Sequence, residues 1–193
     1  MARWEPGTAE RLQAAALELF ATRGYERTTA TEIAQSVGLT ERTFFRHFQD
    51  KREVLFHGQD RLSEAILDGV RGTPDDASPL DTVARALCAL APFFSPERRA
   101  SSRTRKAVVD DNPALQEREL RKLADLAVLL ADTLRARGVG DLAATVAAQT
   151  GTAVFGVAFG RWVRDGEERG FAEVVTEVHG ELLALAGRAA PVA

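Results

Sequence analysis

TTATEIAQSVGLTERTFFRHFQDK, residues 28–51, holds two short helical patterns joined by a tight turn. The first runs from Ala30 to Val37, with Ile33, Ala34 and Val37 apolar at helical spacing. Thr29 stands where an N-cap belongs. Glu32, three positions on, completes a capping box in which side chain and backbone satisfy each other across the first turn. Gly38 supplies a residue that takes a positive φ at the helix end. Thr40 caps a second helix, Glu41 to Phe48, and Glu41 suits its positive end. Ile33, Val37, Leu39, Phe44 and Phe48 fall at buried positions, and small Ala34 lies where the helices cross. Glu41, Arg42, Thr43, Arg46 and His47 remain on other surfaces. This is the spacing of a helix-turn-helix, whose second helix lies in the major groove with its N-terminal residues against base edges. An ordinary helical hairpin with a solvated polar face fits the same pattern.

Extended to TTATEIAQSVGLTERTFFRHFQDKREVLF, and with the preceding helix from Thr8 to Arg23 that ends at Gly24-Tyr25, the stretch closely resembles the DNA-binding domain of the tetracycline-repressor (TetR) family of transcription regulators. The Gly-Tyr, Thr-Thr, Ile-Ala, Gly-Leu-Thr, Phe-Phe-Arg-His-Phe and Asp-Lys elements occur in the family's order and spacing. The resemblance implies an all-α chain. Residues 1–52 would form an N-terminal three-helix helix-turn-helix DNA-binding domain, and residues 53–193 a C-terminal helical ligand-binding and dimerisation domain. It implies a ligand-responsive repressor that binds a palindromic double-stranded DNA operator as a homodimer and is released by a small apolar or acyl-type effector.

The family's roles carry over residue by residue. Thr28 and Thr29 match phosphate-facing residues. Thr40, Glu41, Arg42 and Thr43 occupy the base-facing end of the recognition helix. His47 and Lys51 match phosphate-contacting residues, with a plain surface imidazole as the alternative for His47. Arg42 leads for base readout, because one guanidinium bonds guanine O6 and N7 together. Glu41 would accept from a cytosine amino group or exclude wrong bases, and Thr43 would touch a thymine methyl. Phe45 departs from the pattern: the family usually has a Tyr there whose hydroxyl meets a phosphate.

Composition sets the bounds. The chain has 193 residues, 45% of them hydrophobic, enough for one or two domains with a core. A lone cysteine, Cys88, excludes an intramolecular disulfide and any CxxC motif, and its apolar setting favours a reduced core thiol. The N-terminus lacks the pattern of a signal peptide. No apolar run is expected to reach the length of a membrane span, so a cytoplasmic protein is expected. Net charge is −3, yet residues 1–52 carry 8 Lys/Arg against 7 Asp/Glu. Charge alone does not announce DNA binding. Local placement does: Arg42, Arg46, Lys51 and Arg52 cluster around one helix.

Outward from the motif, residues 1–7 read as a short arm, with Arg3 in reach of a groove or phosphate. The first helix buries Leu12, Ala15, Ala16, Leu19 and Phe20. A fourth helix is predicted from Lys51 to Arg71, on Val54, Leu55, Leu62, Ile66 and Val70, as the mechanical link between domains. Ser78-Pro79 and Ser95-Pro96 start two more helices. The second carries Arg98, Arg99, Arg103, Arg105 and Lys106, either as a solvated face or as a cationic rim beside an acidic effector. Asn112-Pro113 starts a helix that stops at Gly138. The GxGxxA match at Gly138–Ala143 is rejected as a dinucleotide site, because a helix precedes it instead of a strand. Residues 141–164 form an almost wholly apolar helix with small residues at Ala143, Ala147, Gly151, Gly156, Ala158 and Gly160. A last helix runs from Phe171 to Gly187. Two such helices from each of two chains make a four-helix interface; a monomeric core is the alternative.

Phe93, Phe94, Phe155, Phe159 and Trp162 either line an apolar effector cavity or form plain core. The segment from Arg103 to Leu123, with Pro113-Ala-Leu and Arg118, resembles a branch of the family linked to acyl-CoA-like ligands. No cofactor or metal is expected: His47, His57 and His179 are scattered without metal spacing. Asp110 and Asp111 point different ways on a helix. An enzyme built on a borrowed helical hairpin would need a catalytic constellation that these residues do not supply. A third class, an architectural DNA protein without an effector, would have a dry, fully packed second domain.

Overall fold

The computed structural model describes residues 7–187. Among them lie nine α-helices and no strand: α1 Thr8–Arg23, α2 Ala30–Ser36, α3 Glu41–His47, α4 Gln59–Arg71, α5 Pro79–Cys88, α6 Pro96–Asp110, α7 Pro113–Ala136, α8 Asp141–Trp162 and α9 Phe171–Gly187. The arm carrying Arg3 lies outside the described residues. The chain divides into two compact units. One joins Met1–Asp60 to Ser101–Leu120; the other joins Arg61–Ala100 to Arg121–Ala193. The grouping does not follow a single cut after residue 52.

The first unit packs α1 across α2 and α3. Leu12, Ala16 and Phe20 of α1 meet Ile33, Ala34, Phe44 and Phe48, all buried. Val37 and Leu39, expected inside, are half-buried at the edge of this core. Sequence periodicity alone does not foresee the next part. Val108, Val109 and Leu115, from the end of α6 and the start of α7, complete the same core. Polar ties hold them. Arg105 Nε donates to the Leu55 carbonyl at 3.0 Å, its guanidinium lies 5.1 Å from the Phe56 ring centre, and it pairs with Glu119 at 2.9 Å. Arg118 grips Glu53 with two hydrogen bonds, at 2.5 and 3.1 Å.

Helix α4 starts later than predicted. Asp50 Oδ1 accepts from the amides of Arg52 and Glu53 at 2.8 and 3.1 Å, and that cap starts a separate 3₁₀ turn, Glu53–Phe56. Val54, Leu55 and Phe56 are buried beneath it, and Gly58 at φ 84° then breaks the path. Such a φ suits glycine and opposes a continuous helix.

The second unit is built on α5, α8 and α9, with Val83, Leu87, Ala144, Ala148, Ala158, Val174 and Val175 at its centre. Ser78 caps α5 by accepting from the Asp81 amide at 3.1 Å. Gly69 allows α4 to touch α5: a Cβ there would stand 2.7 Å from the Ala86 Cα. The expectation that no apolar run reaches spanning length is corrected. The 22-residue α8 has a mean hydropathy of 1.5 over its best window, long and apolar enough to cross a membrane by composition. One face of α8 nevertheless packs in the helical core. Leu142, Val146 and Val157 stay exposed on the other.

Candidate nucleic-acid interface

Backbone satisfaction at the helix ends fixes the geometry of α2 and α3. The capping box forms: Thr29 Oγ1 accepts from the Glu32 amide at 3.2 Å, and Glu32 Oε2 accepts from the Thr29 amide at 2.8 Å. Gly38 turns at φ 73°, letting the Leu39 amide return to the Ala34 carbonyl at 2.9 Å. Arg11 of α1 donates to the Val37 carbonyl at 2.8 Å, a cap that sequence reasoning missed. Thr40 Oγ1 accepts from the Thr43 amide at 3.2 Å and starts α3.

Orientation follows from two rings. Phe44 and Phe48 are buried, 5.3 Å apart. With that edge anchored, Thr40, Glu41, Arg42, Phe45 and Arg46 are exposed, and Thr43 and His47 are half-buried. Phe45 is 49% exposed. Thr29 is exposed beside them. Burial, then the charge of Arg46, lowers the His47 pKa below its ordinary value, so the ring is neutral near pH 7.

Two expected contacts change character. The Thr28 hydroxyl is buried and donates to the Gly24 carbonyl at 2.9 Å, so its phosphate-facing role is corrected to closing the turn after α1. Lys51 Nζ donates to the Tyr25 carbonyl at 2.7 Å and lies 4.1 Å from the Tyr25 ring centre. Its first job is to hold the junction of α1 to the turn after α3. Burial, then Asp50, pushes the Tyr25 hydroxyl up to about 12.

In the second unit the aromatic residues gather. Phe94 lies 5.5 Å from Trp162, 5.6 Å from Phe159, 6.0 Å from Phe155 and 4.4 Å from Phe171. Phe155 and Phe159 stack at 5.9 Å. Phe93 packs against the same core. Trp162 and Phe171 are enclosed, while Phe94, Phe155 and Phe159 are half-buried. A small cleft of about 190 Å³, mouth included, lies elsewhere, between Val83 and Leu87 of α5, Val154 of α8 and His179 and Leu182 of α9. His179 Nε2 sits 2.9 Å from Asp81 Oδ1 at its edge. The basic run on α6 is not a uniform solvated face, since Arg99 and Arg105 bond inward and Lys106 pairs with Asp110.

Residues 12–57 match the family described as bacterial regulatory proteins, tetR family, and residues 77–186 match the MftR C-terminal domain. The chain belongs to the TetR family. As such it is a DNA-binding transcription regulator with a helix-turn-helix. The transcriptional regulator TcmR of Streptomyces glaucescens is 40% identical over 83 residues, 43% of this chain and 37% of TcmR. The chain thus matches little more than a third of that relative's length. The putative mycofactocin biosynthesis regulator MftR of Mycobacterium tuberculosis is 26% identical over 161 residues, 82% of this chain and 81% of MftR. Thermus thermophilus FadR, a TetR-family repressor solved with lauroyl-CoA, superposes with a TM-score of 0.53 at 25% identity, covering 96% of this chain and 97% of FadR. A putative fatty acid metabolism regulator of Clostridium perfringens shares the fold, with a TM-score of 0.60 at 16% identity over 90% of this chain and 97% of that one.

Proposed function

We propose that this TetR-family regulator is a repressor that works in the cytoplasm as a homodimer on a palindromic operator and lets go when an apolar, acyl-type effector binds its second unit. One observation carries the DNA part: α3 is anchored by Phe44 and Phe48 and turns Thr40, Glu41 and Arg42 outward at its capped end. That is the end a recognition helix brings to base edges. Arg42 reads guanine, Glu41 accepts from cytosine or excludes other bases, and Thr43 meets a thymine methyl. Thr29, His47 and the free protons of the Lys51 ammonium meet phosphates. Phe45 stands among them without a hydroxyl.

The homodimer reading is supported by the apolar residues that α8 and α9 leave exposed, among them Val146, Val157, Leu183 and Leu185. The effector reading is supported by the half-buried rings of the second unit and by the lauroyl-CoA bound to FadR. Such an effector lowers DNA affinity by no more than its preference between the two states of the protein. A second reading, a DNA protein with no effector, draws on the mutual packing of those same rings.

Two measurements test the proposal. Sequences selected from a random DNA pool by the purified protein should share a two-fold palindrome; enrichment of a lone half-site, or of nothing, refutes the dimeric operator. Lauroyl-CoA titrated into the protein–DNA complex should release DNA. Undisturbed DNA binding at saturating lauroyl-CoA favours the protein without an acyl effector.

A further inference from the structure

Trp162 is wholly enclosed, yet its indole Nε1–H has no acceptor among the described residues. Arg99 shows the same gap. Its two terminal nitrogens donate to the carbonyls of Glu167 and Arg169, while its buried Nε–H meets no acceptor among the described residues. The guanidinium carbon lies 5.1 Å from the centre of the Trp162 ring, so the two donors share one neighbourhood. Two nearby acids are engaged elsewhere: Glu167 and Glu177 pair with Arg161 and Arg169, and no ion pair joins Arg99 to a carboxylate among the described residues. Arg99 therefore brings a positive charge that no carboxylate among the described residues neutralises. Buried donors left unmade are costly, and native proteins fill them with an acceptor.

The surroundings are apolar. Phe94, Phe159 and Phe171 stand 5.5, 6.2 and 6.0 Å from the indole. Phe94 and Phe159 are half-buried, so this ring wall reaches the surface. Two buried N–H donors without an acceptor and a cation beside a cluster of aromatic rings match a ligand with an apolar chain and a terminal oxygen acceptor. We propose that Trp162 Nε1 and Arg99 Nε form the polar end of the effector site and donate to the carboxylate or thioester carbonyl oxygen that ends an acyl chain. This rests on the acyl-effector reading above and adds which atoms hold the head of the chain. The unneutralised Arg99 charge favours the carboxylate, and the donor pair serves either oxygen.

Calorimetric titration of the full-length protein decides it. Dodecanoate and lauroyl-CoA are the probes, against wild type, Trp162→Phe and Arg99→Met. At least one probe should bind wild type, and both substitutions should weaken it about ten-fold or more, as loss of a hydrogen bond to a charged or buried group does. The probe that behaves so identifies the source of the oxygen. Affinity unchanged in either variant overturns the proposal, and the donors are then served by water. If lauroyl-CoA still releases DNA in that case, the effector reading stands without this site. If neither probe binds wild type or releases DNA, both readings fall. Should Trp162→Phe not fold, Arg99→Met and the Trp162 emission in a Trp4→Phe background carry the same test. Unchanged affinity in the first, or unchanged emission on saturation in the second, overturns it.

Discussion

Arg42 and Phe45 carry the sharpest predictions at the scale of single side chains. Both are exposed on α3, one a forked donor and the other a ring with nothing to donate. Arg42→Ala should cost about 1–3 kcal/mol of operator affinity and relax preference at one base per half-site, read by binding titrations across operator variants. Equal loss on every variant would mean that Arg42 touches phosphate only. Phe45→Tyr adds a hydroxyl where the family pattern has one, and should tighten binding by about 0.5–1.5 kcal/mol, one net hydrogen bond. Unchanged affinity in a fluorescence titration would show that the ring edge never reaches the backbone. Thr28 and Lys51 teach the opposite lesson. Their residue types match a phosphate contact, but a carbonyl of this same chain already holds each one.

At the scale of the element, helix ends were legible and helix partners were not. The Thr29–Glu32 box, the Thr40 and Ser78 caps and the Gly38 turn are local chemistry, and each appears where the residues put it. The sequence pattern extends helix α4 back to Lys51 because Val54 and Leu55 continue its apolar stripe. Only the Asp50 cap and the positive φ at Gly58 reveal a separate turn, and a glycine in a sequence does not print its φ. Arg105 reads as part of a solvated face or a cationic rim, and Arg118 as part of a ligand-linked segment, because their partners Leu55 and Glu53 lie far off along the chain. The same limit hid Arg99 behind a basic run. Close approach gives a test at this scale. Alanine at Gly69 gains at most ~1 kcal/mol of helix propensity. Its Cβ would meet the Ala86 backbone at 2.7 Å, and such overpacking costs about 1–3 kcal/mol. Gly69→Ala should therefore lower the urea midpoint; a raised midpoint would show that α4 and α5 separate easily.

For the whole molecule, the exposed face of α8 and the response to acid are the measurable properties. Val157 is 59% exposed in a single chain, so a charge there costs one subunit little. If α8 and α9 join two copies, Val157→Glu should give a folded monomer by light scattering, where wild type gives a dimer. A variant that stays dimeric would place the interface elsewhere. Acid stability follows from carboxylates whose pKa the fold lowers, Glu167, Glu32 and Asp81 among them. Hydrogen bonds from the Arg169 side chain and backbone hold Glu167 down to about 2 against an ordinary 4.5. The Thr29 amide and hydroxyl lower Glu32, and His179, then Ser78, lower Asp81. Each binds its proton more readily in the unfolded chain. Their stabilisation is therefore complete above the ordinary carboxylate range and is lost as pH falls from about 4.5 towards 2. Thermal unfolding across that window should show a falling midpoint, and Glu167→Gln should make the fall shallower. An unaltered slope would remove Glu167 from the account.

The return of Val108, Val109 and Leu115 to the N-terminal core has a practical corollary. The reading head is not a cassette that ends where the helix-turn-helix does. Cut after residue 60 and spliced onto a foreign receiver, it would lose the floor on which Leu12 and Phe56 rest. A chimera that exchanges second units between relatives must carry Ser101–Leu120 along with the head. One seam will not do; such an exchange needs three.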